Sequence, residues 1–205
     1  MEKLASKATI YAKYGIIVNM HYDDYIWDLG GTLLDNYELS TQAFIKALEH
    51  FGLSASHDEV YHYLKQSTAA AIAHFAPKEN NFLQIYKADE AKRLEHPILF
   101  SGAKEVLAKI VASGGRNFLV SHRDKQVLSL LEKTGISGYF TEVVTSESGF
   151  ARKPDPESML YLKEKYHITN GIVFGDRKID CQAGEAAGFA TLLVDGKKSL
   201  MEIVK

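Results

Sequence analysis

The chain has 205 residues, 46% of them hydrophobic and 24% charged, with a formal net charge of −2. That is enough for one α/β domain plus a small insertion, and the charge balance excludes an obvious nucleic-acid or anionic-membrane surface. A single cysteine, Cys181, rules out an internal disulfide and fits a reducing, cytoplasmic setting; no apolar run approaches the roughly 20 residues that span a bilayer.

Residues 1–20 read as an N-terminal extension. Lys3, Lys7 and Lys13 precede a short apolar stretch, Gly15 to Val18, which imitates a secretion signal but is too short and lacks a cleavage site. Met20 directly precedes the first convincing strand and is a candidate start of translation. Tyr25 to Leu29 reads as a short buried strand ended by Gly30 and Gly31. From about Tyr37 to Leu94 the pattern is helical throughout. Phe44, Leu48 and Phe51 share one helix face, ended by Gly52, and Ser56 with Glu59 forms a capping-box pattern that starts a second helix. Ala69 to Phe75 suits a third helix, stopped before Pro77, and Asn81 to Leu94 a fourth.

After His96 and Pro97 the rhythm changes to alternating helix and strand. Ser101 is placed to cap a helix through Val106, Leu107 and Ile110. Strands are expected at Phe118–Val120, Glu142–Thr145, Ile172–Phe174 and Thr191–Val194, with helices between them and Pro156 at the first turn of one. Short apolar strands separated by helices imply a doubly wound parallel sheet covered on both faces. The expected organisation is an α/β core, residues 21–35 and 98–205, with a small all-helical cap, residues 36–97, inserted after the first strand.

In such sheets ligands bind at the carboxyl ends of the strands. There the sequence puts Asp28 with Gly30, Gly31 and Thr32; then Ser121, His122 and Arg123; then Arg152, Lys153 and Pro154; then Gly175, Asp176 and Arg177, with Asp180 four residues after Asp176. The set has a coherent chemistry. Asp28 can attack phosphorus and form an acyl phosphate. Carboxylate and phosphate repel, so a cation is needed, and Asp28, Asp176 and Asp180 offer the hard oxygens that magnesium prefers. Lys153 can neutralise remaining charge, while the hydroxyls of Thr32 and Ser121 and backbone N–H groups at Gly31 can hold phosphoryl oxygens.

These residues resemble those of the haloacid dehalogenase-like hydrolases, in the helical-cap branch that includes phosphoglycolate phosphatases and β-phosphoglucomutases. The resemblance runs from Tyr25 to about Val194 on Asp28-Leu29-Gly30-Gly31-Thr32-Leu33, then Ser121, then Lys153-Pro154, then Gly175-Asp176 with Asp180. It implies Asp28 as nucleophile, Ser121 as phosphate ligand, and Lys153 orienting both. It also implies Mg2+ held by Asp28, Asp176 and the Gly30 carbonyl, with Asp180 supporting the metal directly or through its neighbours. The implied substrate is a small phosphorylated metabolite, over which the cap closes.

The departure is Gly30, where most phosphatases of the family carry a second aspartate as general acid and base. Loss of such a group costs on the order of 10²–10⁴ in rate. Substrates with good leaving groups are therefore favoured, and a positive φ at Gly30 would make an aspartate costly there. His122 is a candidate substitute acid or substrate contact and Arg123 a candidate clamp. His62 and His74 could enter the site from the cap, although exposed or satisfied histidines are the simpler reading. Three rivals remain: a phosphate-binding protein that has lost turnover, a phosphonate-cleaving enzyme using a cap lysine such as Lys46 or Lys65, and a metal-free dehalogenase, which the Asp176/Asp180 pair disfavours.

Overall fold

The computed structural model describes residues 10–11, 22–123 and 125–204. The readings made for the lysine-rich opening and for Met20 lie outside those residues. The chain separates into two compact units, Met1–Leu34 with Leu99–Lys205, and Asp35–Ile98.

The first unit is built on a parallel sheet. Its strands are β1 (Ile10–Tyr11), β2 (Asp24–Trp27), β3 (Arg116–Val120), β4 (Phe140–Val144), β5 (Gly171–Gly175) and β6 (Ala190–Leu193). The spatial order is β1-β6-β5-β2-β3-β4, all pairs parallel. The two-residue β1, which the sequence pattern did not reveal, pairs with Leu192 and Leu193 of β6. The other five strands lie where short apolar runs predict them.

Alternation along each strand sends side chains to opposite faces. Trp27, Leu119 and Phe174 pack on one face with α5 (Ala103–Ala112), α6 (Gln126–Lys133) and α9 (Leu200–Ile203). Ile26, Phe118 and Val173 pack on the other with α7 (Glu157–Lys165) and α8 (Lys178–Ala186). Both faces are thus covered, which is why the central strands read as continuous apolar runs. At the edge, β4 is only half-buried, and its Glu142 pairs with Lys165 at 2.8 Å.

A buried polar knot ties the first face together. The Asn117 side chain, fully buried, accepts from Trp27 Nε1 at 3.0 Å and donates to the carbonyls of Leu107 and Tyr139 at 3.1 and 3.2 Å. Trp27 stacks on Phe174 with ring centroids 4.3 Å apart. Each Trp, amide and carbonyl that water cannot reach therefore has a partner in the fold.

The expected Ser101 cap is a correction. Helix α5 starts one residue later, behind Gly102 in a left-handed conformation (φ 79°), with no side-chain cap. Ser101 instead offers its carbonyl to Leu200 N–H and the Ser199 hydroxyl, at 3.0 and 3.2 Å. A tertiary contact with the start of α9 claims the residue that local pattern assigns to the helix end.

The second unit consists of α1 (Asn36–His50), α2 (His57–Gln66), α3 (Thr68–Phe75) and α4 (Phe82–Arg93). Ser56 and Glu59 exchange the reciprocal bonds of a capping box at the start of α2. Its core gathers Phe44, Phe82 and Tyr86, the Phe44 ring lying 4.7 and 5.3 Å from the other two. Among the described residues no helix is long and apolar enough to cross a membrane.

Replacing Asn117 by Ala is expected to destabilise the protein by about 2–4 kcal/mol, because three buried polar groups lose their partner together. Urea denaturation followed by tryptophan fluorescence measures it, and a loss below about 1 kcal/mol would mean that water replaces the amide.

Candidate active site

Strand order puts β2 between β3 and β5, so the carboxyl end of β2 is where the direction of winding reverses. Asp28 is the first residue past that end. Its N–H is held by Phe174 O at 2.8 Å, and its side chain is 8% exposed. The glycine turn that follows is closed by bonds from Gly31 N to Leu34 O and from Leu34 N to Leu29 O, both 2.8 Å. Two expectations change here. The positive φ belongs to Gly31 (84°), while Gly30 lies outside the left-handed region, so the backbone at Gly30 is not reserved for glycine. The Gly31 N–H is committed to Leu34, so Gly31 shapes the turn rather than holding a phosphoryl oxygen. The Gly30–Leu34 bridge uses the polar groups of Leu29, Gly31 and Leu34, so among the described residues the bridge leaves the Gly30 carbonyl unused.

Lys153 is the centre of the arrangement. Its side chain is 1% exposed, and Nζ lies 2.5 Å from Asp28 Oδ1, 2.6 Å from Asp180 Oδ1 and 3.1 Å from Val120 O. Burial works against the ammonium charge, but the two carboxylates outweigh it and hold the Lys153 pKa above its ordinary value. Burial also lifts the Asp28 carboxyl above its ordinary range; Lys153 opposes that rise and Asp180 adds to it. One buried ammonium thus faces two buried carboxylates, with Asp176 close by.

Asp180 is fully buried in the first turn of α8, and its Oδ2 takes the Arg177 N–H at 3.0 Å. Gly175 makes this approach possible: a Cβ there would lie 2.2 Å from Asp180 Cβ. Asp180 thus contacts both Lys153 and the Arg177 N–H of the α8 turn. One oxygen each from Asp28, Asp176 and Asp180 also falls within 4.8 Å of the others, so the three carboxylates expected at a metal lie together. Three hard carboxylate oxygens so close together fit a divalent cation such as magnesium.

The two hydroxyls expected to hold phosphoryl oxygens lie on the same edge. Thr32 is 1% exposed, and its Oγ1 has no hydrogen-bond partner in the described structure. Ser121, just past β3, accepts from Arg123 N–H at 3.2 Å, which leaves its hydroxyl hydrogen as a donor. An orphaned buried hydroxyl is costly unless a ligand completes it.

His122 departs from its expected role as a substitute acid. Its Nδ1 is 3.0 Å from Arg152 Nε and its Nε2 is 3.0 Å from the Lys153 backbone N. Burial and the charges of Lys153, Arg152 and Arg177 push its pKa down to about 4, so the ring is neutral at pH 7. The cap histidines are occupied within their own unit: His62 Nε2 lies 3.0 Å from Gln66 Nε2, and the His74 ring stacks on Tyr63 at 4.2 Å. Lys46 lies 3.9 Å from Asp89, and Lys65 sits over the rings of Tyr37 and Tyr61 at 5.5 and 5.7 Å. Cys181 is buried, and burial raises its thiol pKa, which suits a packing role. Arg152 and Arg177, which the sequence puts at strand ends beside Lys153 and Asp176, are the cations that act on His122 together with Lys153.

The profile of the haloacid dehalogenase-like hydrolases matches residues 25–194, most of the chain. The chain belongs to that hydrolase family. It is similar to a hydrolase from Streptococcus pneumoniae TIGR4 of known crystal structure, with 60% identity and a TM-score of 0.84, covering 89% of this chain and 96% of that one. It is 29% identical over 176 residues to the phosphoglycolate phosphatase of Yersinia pestis, covering 79% of this chain and 76% of the relative. Its identity to pyrophosphatase PpaX of Bacillus pumilus is 26% over 174 residues, covering 81% and 80%. Membership fits the parallel sheet, the helical unit inserted after β2, and Asp28 at the reversal of the sheet.

The neutral His122 has a consequence for stability. Its folded pKa is about 4 against an unfolded 6.5, so between those values the unfolded chain binds more protons and stability rises with pH. His122→Asn is expected to flatten that rise. Thermal melts from pH 4 to 7 in magnesium-free buffer test it; an unchanged slope would place the acid sensitivity on other groups.

Proposed function

We propose that this hydrolase cleaves small phosphorylated metabolites with magnesium, passing the phosphoryl group through an aspartyl-phosphate on Asp28. The observation that carries the reading is the buried Asp28 carboxylate held 2.5 Å from Lys153 at the point where the sheet reverses. Relatives named phosphoglycolate phosphatase and pyrophosphatase support a phosphorylated substrate of this size.

Asp28 and Asp176, with the Gly30 carbonyl, would hold the magnesium, whose charge offsets the repulsion between carboxylate and phosphoryl oxygens. Lys153 orients Asp28 and opposes the rise in its pKa that burial causes, and Asp180 helps to hold Lys153 in place. The Ser121 and Thr32 hydroxyls hold phosphoryl oxygens. An Asp28 oxygen attacks phosphorus, and the bond to the leaving oxygen breaks with its electron pair. Water then attacks the same phosphorus, the bond to Asp28 breaks, and phosphate leaves. Both steps ordinarily use a proton carrier two residues after the nucleophile. Gly30 cannot be one, and neutral His122 is a poor proton donor. Leaving groups that are stable as anions, such as acyl phosphates, diphosphates and activated esters, suit this site best.

A second reading rests on Gly30 alone: a protein that keeps the phosphate site and has lost turnover. Magnesium-dependent release of phosphate from nitrophenyl phosphate, absent in Asp28→Asn, separates the two. Magnesium is expected to raise the melting temperature of wild type and to do so much less in Asp176→Asn. An equal shift in both would put the metal elsewhere.

The rate is expected to fall steeply as leaving-group pKa rises, with nitrophenyl phosphate ahead of simple alkyl phosphates. Because Gly30 does not need positive φ, Gly30→Asp is expected to speed alkyl phosphate turnover by roughly 10²-fold. A folded Gly30→Asp with no gain, together with a flat leaving-group series, would mean that some other group already transfers the proton.

A further inference from the structure

The imidazole of His122 faces two N–H donors. Arg152 Nε–H points at Nδ1 and the Lys153 backbone N–H at Nε2, each over 3.0 Å. A neutral imidazole has one acceptor nitrogen and one N–H. It can satisfy one of these donors, and its own hydrogen must oppose the other. Protonation does not relieve the conflict, since both nitrogens would then be donors.

The two donors differ in freedom. The Lys153 N–H belongs to a backbone pinned by a buried ion pair, so it stays where it is. Arg152 is exposed and, among the described residues, pairs with no carboxylate. The ring therefore takes the Lys153 N–H at Nε2 and carries its hydrogen on Nδ1. Nδ1–H and the Arg152 guanidinium then converge as donors on one region, with no acceptor found between them among the described residues. The exposed Arg177, just past the end of β5, adds positive potential at the same ring.

We infer that His122 Nδ1–H and the Arg152 guanidinium form an anion subsite that binds a second negatively charged group of the substrate, a carboxylate or a phosphate. This rests on the reading of Asp28 as the phosphoryl acceptor. His122 directly follows Ser121 and its ring bonds the backbone of Lys153, so the subsite adjoins the groups that would hold the reacting phosphoryl. An anion there takes the hydrogens that Nδ1 and the guanidinium now direct at each other, once the Arg152 side chain turns outward. The substrate class is a small phosphate with a second anionic group, rather than a neutral phosphorylated alcohol or sugar.

Two measurements test this, the tautomer and probe binding, and both can be made without turnover when binding is read by calorimetry. Nitrogen-15 NMR of labelled imidazoles, with His122→Asn for assignment, is expected to show His122 as the Nδ1–H tautomer at pH 7. Competition against nitrophenyl phosphate, or titration by calorimetry, compares methylphosphonate with phosphonoacetate and imidodiphosphate, which differ by an added carboxylate or phosphate. Wild type is expected to bind at least one dianionic probe roughly tenfold or more tighter than methylphosphonate, and Arg152→Gln to lose that preference. The probe preferred identifies the second group. Lys109→Gln, an exposed residue on α5 ahead of the opposite sheet edge, controls for net charge and is expected to keep the preference. An Nε2–H tautomer overturns the subsite. So does equal binding of all three probes by wild type, or a preference unchanged in Arg152→Gln. Failure of wild type to release phosphate from any ester would instead overturn the phosphatase reading, while tautomer and binding still decide the subsite.

Discussion

The Lys153 ammonium, buried between the carboxylates of Asp28 and Asp180, is the constraint on which the carboxyl edge of the sheet depends. A buried charge is tolerated only when paired and hydrogen-bonded, and removal of one partner from such a pair costs about 3–5 kcal/mol. Lys153 has two carboxylates and the Val120 carbonyl, so its position is fixed from β2, β3 and α8 at once. The closeness of Asp180 requires Gly175 without a Cβ, and the loop carrying Lys153 is further held by the His122 ring. The end of β2, the end of β3, the end of β5 and the start of α8 thus meet around one nitrogen atom.

That centre leaves an imbalance that function can use. Asp28, Asp176 and Asp180 bring three carboxylates within reach of one point, the donor type a divalent cation takes, while the Thr32 hydroxyl has no hydrogen-bond partner among the described residues. Toward solvent the sign reverses: Arg152 and Arg177 bring positive charge without paired carboxylates among the described residues. A negative pocket for a metal beside a positive rim for an anion is the electrostatic form expected of a site that takes phosphate together with its counterion. Among the described residues no proton carrier stands beside Asp28 in this reading, since Gly30 offers no carboxylate and burial with the nearby cations keeps His122 neutral. The proposed preference for good leaving groups follows from that lack.

The fold was largely legible because its signals are local. Tyr25–Leu29, Phe118–Val120 and Ile172–Phe174 are apolar runs too short for helices and bounded by turn residues, and each lies on a strand. Ser56 and Glu59 announce α2 by bonds made within four residues. The failures share a cause. Ser101 was taken by α9, almost a hundred residues away, and β1 is defined only by its pairing with β6. The left-handed residue of the first turn proved to be Gly31 and not Gly30, a distinction that two adjacent glycines do not carry in their letters.

The sequence by itself determined which chemical groups stand at the strand ends, because strand length, turn glycines and the order of Asp28, Ser121, Lys153 and Asp176 are properties of the chain. It also determined that Gly30 carries no acid, since a missing side chain is missing in any fold. Only the tertiary structure decided what the ionisable groups do. Asp180 reaches both Lys153 and the α8 turn, and burial together with a lysine and two arginines from other segments holds His122 neutral. Charge state and hydrogen-bond direction depend on neighbours brought together from distant positions, and those neighbours exist only after the strands have assembled.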